Sequence, residues 1–515
     1  MEMDAADGRA PGDCTGPGCD GFGAGGAGGG GDDDGHEPEE ELESAFEAPV
    51  VTEKRVWAAN PDSGRVAIVD ASTLEIRTVD AGFAPTHLAA IPPRKEGEEQ
   101  AIVLNVLSHD ATLIRIDTAG VIETATTPIH ADANAVTISP RGRFAVAWTD
   151  ARRVDHPDPT EGFQDITVID LAASPLESTR LSVGYRPAQV VINEDETRAF
   201  AITEPGISVI ALDGESPALV DLVEVKDTSL AGRASVDITP DGALALVRQD
   251  GSEVVTLIDL VTSQRLDLAL SGPVTDLDLA HDGSFALAVV RSPNGSDDEE
   301  PTGSQAFVLP LPDVLEDPQT VTTVTIPNET VGSASLATAG DVALLYTNAV
   351  PSDRLVVLSL DTGTHRAISL KAPVKAALPA PDSEHAVVIL EPPPGSTKPG
   401  AFALVPTKSN LPPRIQATDA PVLGVAIAPA PSHRALIVVR GEEGQEHAAY
   451  LARLPQLQVD GIRLASPPLA TGIAPAANMG FIAQEHPEGR LTFIHLEDGA
   501  ARTVTGFELG TRVVD

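Results

Sequence analysis

RVWAANPDSGRVAIVDASTLEIRTVDAGFAPTHLAAI, residues Arg55 to Ile91, decides the fold. It opens on an apolar run (RVWAAN), turns through Asn-Pro-Asp-Ser-Gly, and continues as RVAIVD. An Ala-Ser-Thr turn leads to IRTVD, and a Gly-x-x-Pro corner leads to a fourth run, THLAAI. The runs are short and rich in β-branched residues. Gly, Pro, Asn, Asp and Ser stand between them, the chemistry of antiparallel strands joined by tight turns. No 3.6-residue period holds over ten residues, so the segment does not read as helix.

The fourth run is a marker that recurs. It returns as NAVTISPRGR (134–143), AQVVINEDET (188–197), ASVDITPDGA (234–243) and TDLDLAHDGS (275–284). Looser copies are SASLATAGD (333–341), KAALPAPDSE (375–384), GVAIAPAPS (424–432) and ATGIAPAANM (470–479). After each comes an apolar run such as FAVAW (144–148) or ALIVV (435–439), then one that often ends in Asp, such as ITVIDL (166–171). Four short strands every 40 to 55 residues or so are the signature of a β-propeller blade. One four-stranded sheet leaves both faces bare, and blades stacked around an axis cover each other. The expectation is an all-β propeller of four-stranded antiparallel blades with about ten repeat units. That exceeds the usual range of about 4 to 8, which leaves one large ring, two rings, or fewer true blades. The chain is expected to enter on RVWAAN as a second strand, with TRVVD (511–515) supplying the missing inner strand of the first blade.

Composition agrees. The 515 residues include 44 Gly and 43 Pro, far more punctuation than a helical protein tolerates. Hydrophobic residues make up 42% and aromatic ones only 3%, so the core must be aliphatic. Residues 1–50 hold a glycine tract and an acidic run with almost nothing apolar, and read as a disordered tail. Residues 51–515 read as the propeller. A net charge of −42 opposes binding to nucleic acid or to an anionic membrane, and fits a soluble protein, a cation-rich or salt-adapted setting, or a basic partner alike. No apolar run reaches the roughly 18 residues of a transmembrane helix. The only cysteines, Cys14 and Cys19, lie in the tail and form a candidate disulfide. The opening MEMDAADGRAPGDC has no basic-then-apolar leader. A Gly/Asp/Glu tail carrying Cys nevertheless suits a segment just after an anchor. The expectation is therefore a leader encoded upstream and a place in the cell envelope, periplasm or outside the cell, with the cytoplasm as the alternative.

The stretch from Val56 to Ile91 resembles the YVTN-type β-propeller repeat. Asn60, Pro61, Asp62 and Ser63 match its turn, Val69 and Asp70 its strand end, and Gly82 and Pro85 its corner. Gly184 and Pro187 repeat the corner, and Pro240, Asp241 and Gly242 match the turn before the next strand. The resemblance spans about residues 55–290 and fades beyond. It implies a propeller, often secreted or envelope-associated, and no common catalytic residues, because the motif is structural.

Strand order places several long connections on one face: 149–165, 291–305, 391–400 and 441–447. Long loops on a rigid scaffold are where binding usually lives. The first of them holds the candidate binding residues Asp150, Arg152, Arg153, Asp155, His156, Asp158 and Glu161. Asp155, Asp158 and Glu161 are a weak candidate for Ca²⁺, which takes oxygen ligands. The order matches no EF-hand, and no other cofactor or metal is predicted. Asp70, Asp117, Asp170 and Asp259 recur at strand ends and are expected to cap the next turn. His87, His109, His130, His281 and His433 stand singly and read as surface or packing residues. No GxSxG, phosphate loop, HExxH or dinucleotide fingerprint is present. These features favour a monomeric, non-enzymatic binding scaffold for a protein or glycan. The alternatives are a lactonase-, lyase- or hydrolase-type propeller enzyme with acidic groups at the channel mouth, and an intracellular interaction platform.

Overall fold

The computed structural model describes residues 48–154, 157–225, 234–291, 303–393, 395–441 and 447–512. Its forty strands form ten separate four-stranded antiparallel sheets, each joined in simple sequential order. The first blade consists of Val50–Val51, Arg55–Asn60, Arg65–Asp70 and Ile76–Asp80. In blade 1 the second and third strands are almost fully buried, whereas the outer strand, Ile76–Asp80, is largely exposed.

The hydrophobic cores lie between sheets, and they settle how many rings there are. Trp57 and Ile68 of blade 1 pack on Leu88 and Val103 of blade 2. Similar clusters join each blade to the next through blade 10. The remaining cluster packs Phe481 and Phe493 of blade 10 against Val56 and Val69 of blade 1. All ten units are true blades, and they close one ring.

The sequence unit is offset from the structural one. THLAAI belongs to the strand Pro85–Ile91, which pairs with Glu99–Asn105 and so opens blade 2 as its inner strand. The Gly-x-x-Pro corner carries the chain from the outer edge of one blade to the inner edge of the next. Close approach explains its glycine. A Cβ on Gly82 would sit 2.5 Å from Ser108 Oγ, and one on Gly184 would sit 2.1 Å from Thr203 Oγ1. At the strand ends, Asp70, Asp117, Asp170 and Asp259 accept backbone N–H groups of the following turn, as expected.

The expected closure by TRVVD is corrected. The inner strand of blade 1 is Val50–Val51, paired with Val56 and Trp57, so the blade begins inside the segment assigned to the tail. Thr511 and Arg512 lie in no strand, and residues 513–515 fall outside the described residues. The C-terminal segment still ties the ring shut, as a clasp on the blade 1 turn. Asn60 Nδ2 donates to the Phe507 carbonyl at 2.7 Å, and Ser63 Oγ donates to Glu508 at 2.6 Å. Arg65 pairs with Glu508 at 3.2 Å and Arg512 with Asp62 at 3.1 Å. Leu509 is buried in the cluster that joins blades 10 and 1. Residues 1–47, with Cys14 and Cys19, lie outside the described residues.

Antiparallel order gives the ring two distinct faces. Turns after the first and third strands emerge on one face, the turn face. Turns after the second strand and crossings to the next blade emerge on the other, the loop face. Removing a buried leucine costs about 2–5 kcal/mol, whereas an exposed ion pair contributes about 0–1 kcal/mol. Leu509→Ala should therefore lower the urea unfolding midpoint markedly, and Arg512→Ala should barely move it. Equal shifts would mean that the clasp is not held by its apolar contact.

Candidate binding face

The 149–165 loop is built into the scaffold. Asp150 is buried and N-caps a short 3-10 turn, Ala151–Arg153, by accepting from the Arg152 N–H. Its carboxylate also takes both ends of the Arg152 guanidinium, at 2.9 and 2.8 Å. Arg152 reaches across to the Ala188 carbonyl of the next blade, and Arg153 reaches the Asn134 carbonyl. These three residues therefore pin the loop base to the ring.

Further along, Asp158 Oδ1 accepts from the Thr160 hydroxyl and N–H, which hold its carboxyl below the usual carboxylate range. Glu161 accepts from the Asp158 N–H. Arg186 and Tyr185 of the crossing to blade 4 fasten the loop's carbonyls, and the Arg186 guanidinium lies over the Tyr185 ring. Asp158 and Glu161 thus spend carboxylate oxygens on the loop's own N–H groups. Asp155 and His156 lie outside the described residues, as do most of 291–305 and of 441–447. In 391–400, an open groove of about 460 Å³ runs past Pro392, Pro393 and the Lys398–Asp419 ion pair.

Beneath this loop His130 is buried between Thr167, 2.9 Å from Nδ1, and Thr149, 3.3 Å from Nε2. Burial pushes its pKa down to about 4, so it stays neutral as a packing residue.

What the sequence reading missed on this face is apolar. Phe83, in the first Gly-x-x-Pro corner, is 74% exposed, and Leu107, in the following blade's turn, is 68% exposed. Leu107 N–H donates to the Phe83 carbonyl at 3.2 Å. Phe507, in the clasp, is 49% exposed. The Asn60–Gly64 turn links these places, bonded on one side to Phe507 and on the other to Ala81. The available signal was position: two large apolar residues where turn chemistry calls for polar ones.

A second cluster lines the axis. Asp237 lies on the inner strand Ala234–Ile238 of blade 5, and Asp276 and Asp278 on the inner strand Val274–Leu279 of blade 6. Arg248 crosses between these blades, donating to Ser235 Oγ, Asp250 and the carbonyls of Val274 and Thr275. Asp276 Oδ2 accepts from the Ala334 N–H of blade 7 at 2.7 Å. Asp237 Oδ2 is buried without a hydrogen-bond partner. Burial, and then the charge of Asp276, push the Asp237 pKa up to about 7.

Of the residue types that bind metal, Asp382, Glu384 and His385 come together on the turn face of blade 8. This is the face opposite the long loops.

No family model matches the chain, and no curated protein matches it. Solved structures similar to it include a eukaryotic initiation factor, 12% identical, with a TM-score of 0.47 over 88% of this chain and 97% of that one. The dihydro-heme d1 dehydrogenase NirN in complex with DHE is also 12% identical, with a TM-score of 0.42 over 82% and 75%. At such identity, and with TM-scores below 0.5, neither likeness bears on what this chain does.

The axial carboxyl gives a signed prediction. Its folded pKa of about 7 lies above the ordinary 3.8, so the folded state holds a proton that the unfolded chain releases. That costs stability as pH rises from about 4 to 7, by about 1.4 kcal/mol per pH unit at most. Asp237→Asn should stabilise the ring at pH 8 and leave it unchanged at pH 4, read from urea unfolding. The same gain at both pH values would show that Asp237 does not hold the proton.

Proposed function

We propose that this protein is a non-enzymatic binding scaffold, a closed ring that presents Phe83, Leu107 and Phe507 on its loop face to a protein partner. The observation that carries the reading is the exposure of these three side chains at one corner of that face. Aromatic residues are only 3% of the chain, so leaving two phenylalanines in water is a costly use of a scarce residue. Aromatic side chains are enriched at the energetic centres of protein interfaces. The net charge of −42 favours a partner with a basic rim. We further read the chain as a divergent YVTN-type propeller, monomeric and exported to the cell envelope.

A catalytic reading rests on Asp237. A carboxyl with a pKa of about 7 beside Asp276 and Arg248 is suited to general acid–base work at neutral pH. Hydrolysis of simple esters and lactones that disappears in Asp237→Asn would favour this second reading over the first.

The scaffold reading is tested with a photo-crosslinking amino acid at position 83 or 107, and at 261 as control. Val261 is 67% exposed and lies on the turn face. A discrete adduct from 83 and 107, absent from 261, is expected, and the same partner should no longer bind the unlabelled Phe83→Ser/Leu107→Ser protein. That double variant should keep the parent's stability to within about 0.5 kcal/mol per site, as exposed substitutions do. The same adducts from both faces, or none from 83 and 107, would refute it.

A further inference from the structure

The turn face carries a repeated device. In the turn after the inner strand of blades 3 to 10 one residue stands in the left-handed region. It is glycine at Gly142, Gly242, Gly283 and Gly340, but Glu196, Ser383, His433 and Asn478 occupy the corresponding places elsewhere. A side chain at this place can reach the turn of the preceding blade. Glu196 of blade 4 accepts from the Arg141 and Arg143 N–H groups of blade 3, at 2.8 and 3.2 Å. His433 of blade 9 reaches blade 8 in the same manner, with Nδ1 2.7 Å from Asp382 Oδ2.

That oxygen is already attended. His385 Nδ1 lies 3.5 Å from the same Asp382 Oδ2. Asp382 Oδ1 accepts from the Glu384 N–H at 2.8 Å, which fixes the carboxylate plane. The Glu384 carboxylate lies with Asp382 and His385 in a group whose ligand atoms are all within 4.8 Å of one another. Two imidazole nitrogens from two blades therefore converge on one carboxylate oxygen, with a second carboxylate beside them.

We propose that Asp382, Glu384 and His385 bind a zinc-class divalent cation, with His433 of blade 9 as the fourth ligand, bridging blades 8 and 9. Ligand atoms about 2.0–2.1 Å from a tetrahedral ion lie about 3.3 Å apart. The two imidazoles stand 2.7 and 3.5 Å from Asp382 Oδ2, on either side of that value, and the ligand atoms of Asp382, Glu384 and His385 already lie within 4.8 Å of one another, so these three close by side-chain rotation while His433 swings in from blade 9. The donor set selects the metal. Imidazole nitrogen suits zinc and its neighbours, whereas Ca²⁺ and Mg²⁺ take oxygen ligands. Asp382 and His385 are mostly buried, and His433 is about a third exposed, which leaves a way in from the turn face. The site is separate from the apolar corner of the loop face and does not depend on it.

The test uses the full chain with Cys14 and Cys19 replaced by Ser, so that tail thiolates do not compete. Calorimetric titration with zinc chloride at pH 7.5 should give one equivalent bound, and calcium chloride should give none. Cobalt(II) should show the visible bands of a tetrahedral nitrogen–oxygen site. His433→Asn and Asp382→Asn should each weaken zinc at least about tenfold, or 1.4 kcal/mol. Circular dichroism of the variants should be unchanged. A flat zinc titration, with His433→Asn lowering only the melting temperature, would make the contact an ion pair and overturn the proposal. Zinc binding undiminished in His385→Asn/His433→Asn would overturn it as well.

Discussion

The contact on which everything else depends is the one between flat aliphatic faces of adjacent blades. Each blade packs one face on the blade before it and the other on the blade after it, and neither face has a partner within its own sheet. A blade is therefore stable only as a member of the ring, and the ring only when its last interface forms between Phe481 and Phe493 of blade 10 and Val56 and Val69 of blade 1. Ten wedges in place of about 4 to 8 make neighbouring faces more nearly parallel. Parallel faces leave little gap at the periphery for bulky side chains to fill. A core of Val, Leu, Ile and Ala, with 3% aromatics in the whole chain, is what such a geometry requires.

The same widening acts at the axis. Inner strands that would be pressed together in a small ring stand further apart, and polar side chains on them find water or each other. Asp237, Asp276 and Asp278 occupy such positions. A carboxylate crowded by another carboxylate and by the surrounding wall keeps its proton, which is why burial leads the causes of the Asp237 displacement and Asp276 follows.

Strand type, turn chemistry and the four-strand unit were legible in the sequence because each depends on residues close together in the chain. RVAIVD and its Asp70 cap, and the close-packed Gly82, are local facts. The number of rings was not legible, because it depends on which faces meet across blades, and those faces are alike in composition. The inner strand of blade 1 was missed because two valines carry no pattern. The 149–165 loop shows a related limit: charged residues look available in a sequence, whereas Asp150, Arg152 and Arg153 are held by the loop base and by carbonyls of the ring. The histidines that matter on the turn face, His385 and His433, are 48 positions apart in the numbering and meet only because consecutive blades stack. His433 stands where the repeat loses its glycine, so the departure from the motif was the signal.

The clasp has a consequence for synthesis. Phe507 comes from the end of the chain, and it is fixed against Asn60 near the beginning. The exposed apolar corner is therefore assembled from the first-made and last-made parts of the ring. A ribosome that stops early releases a chain that can stack most of its blades yet lacks a third of that corner. The corner is therefore complete only on molecules in which the clasp has closed blade 10 onto blade 1.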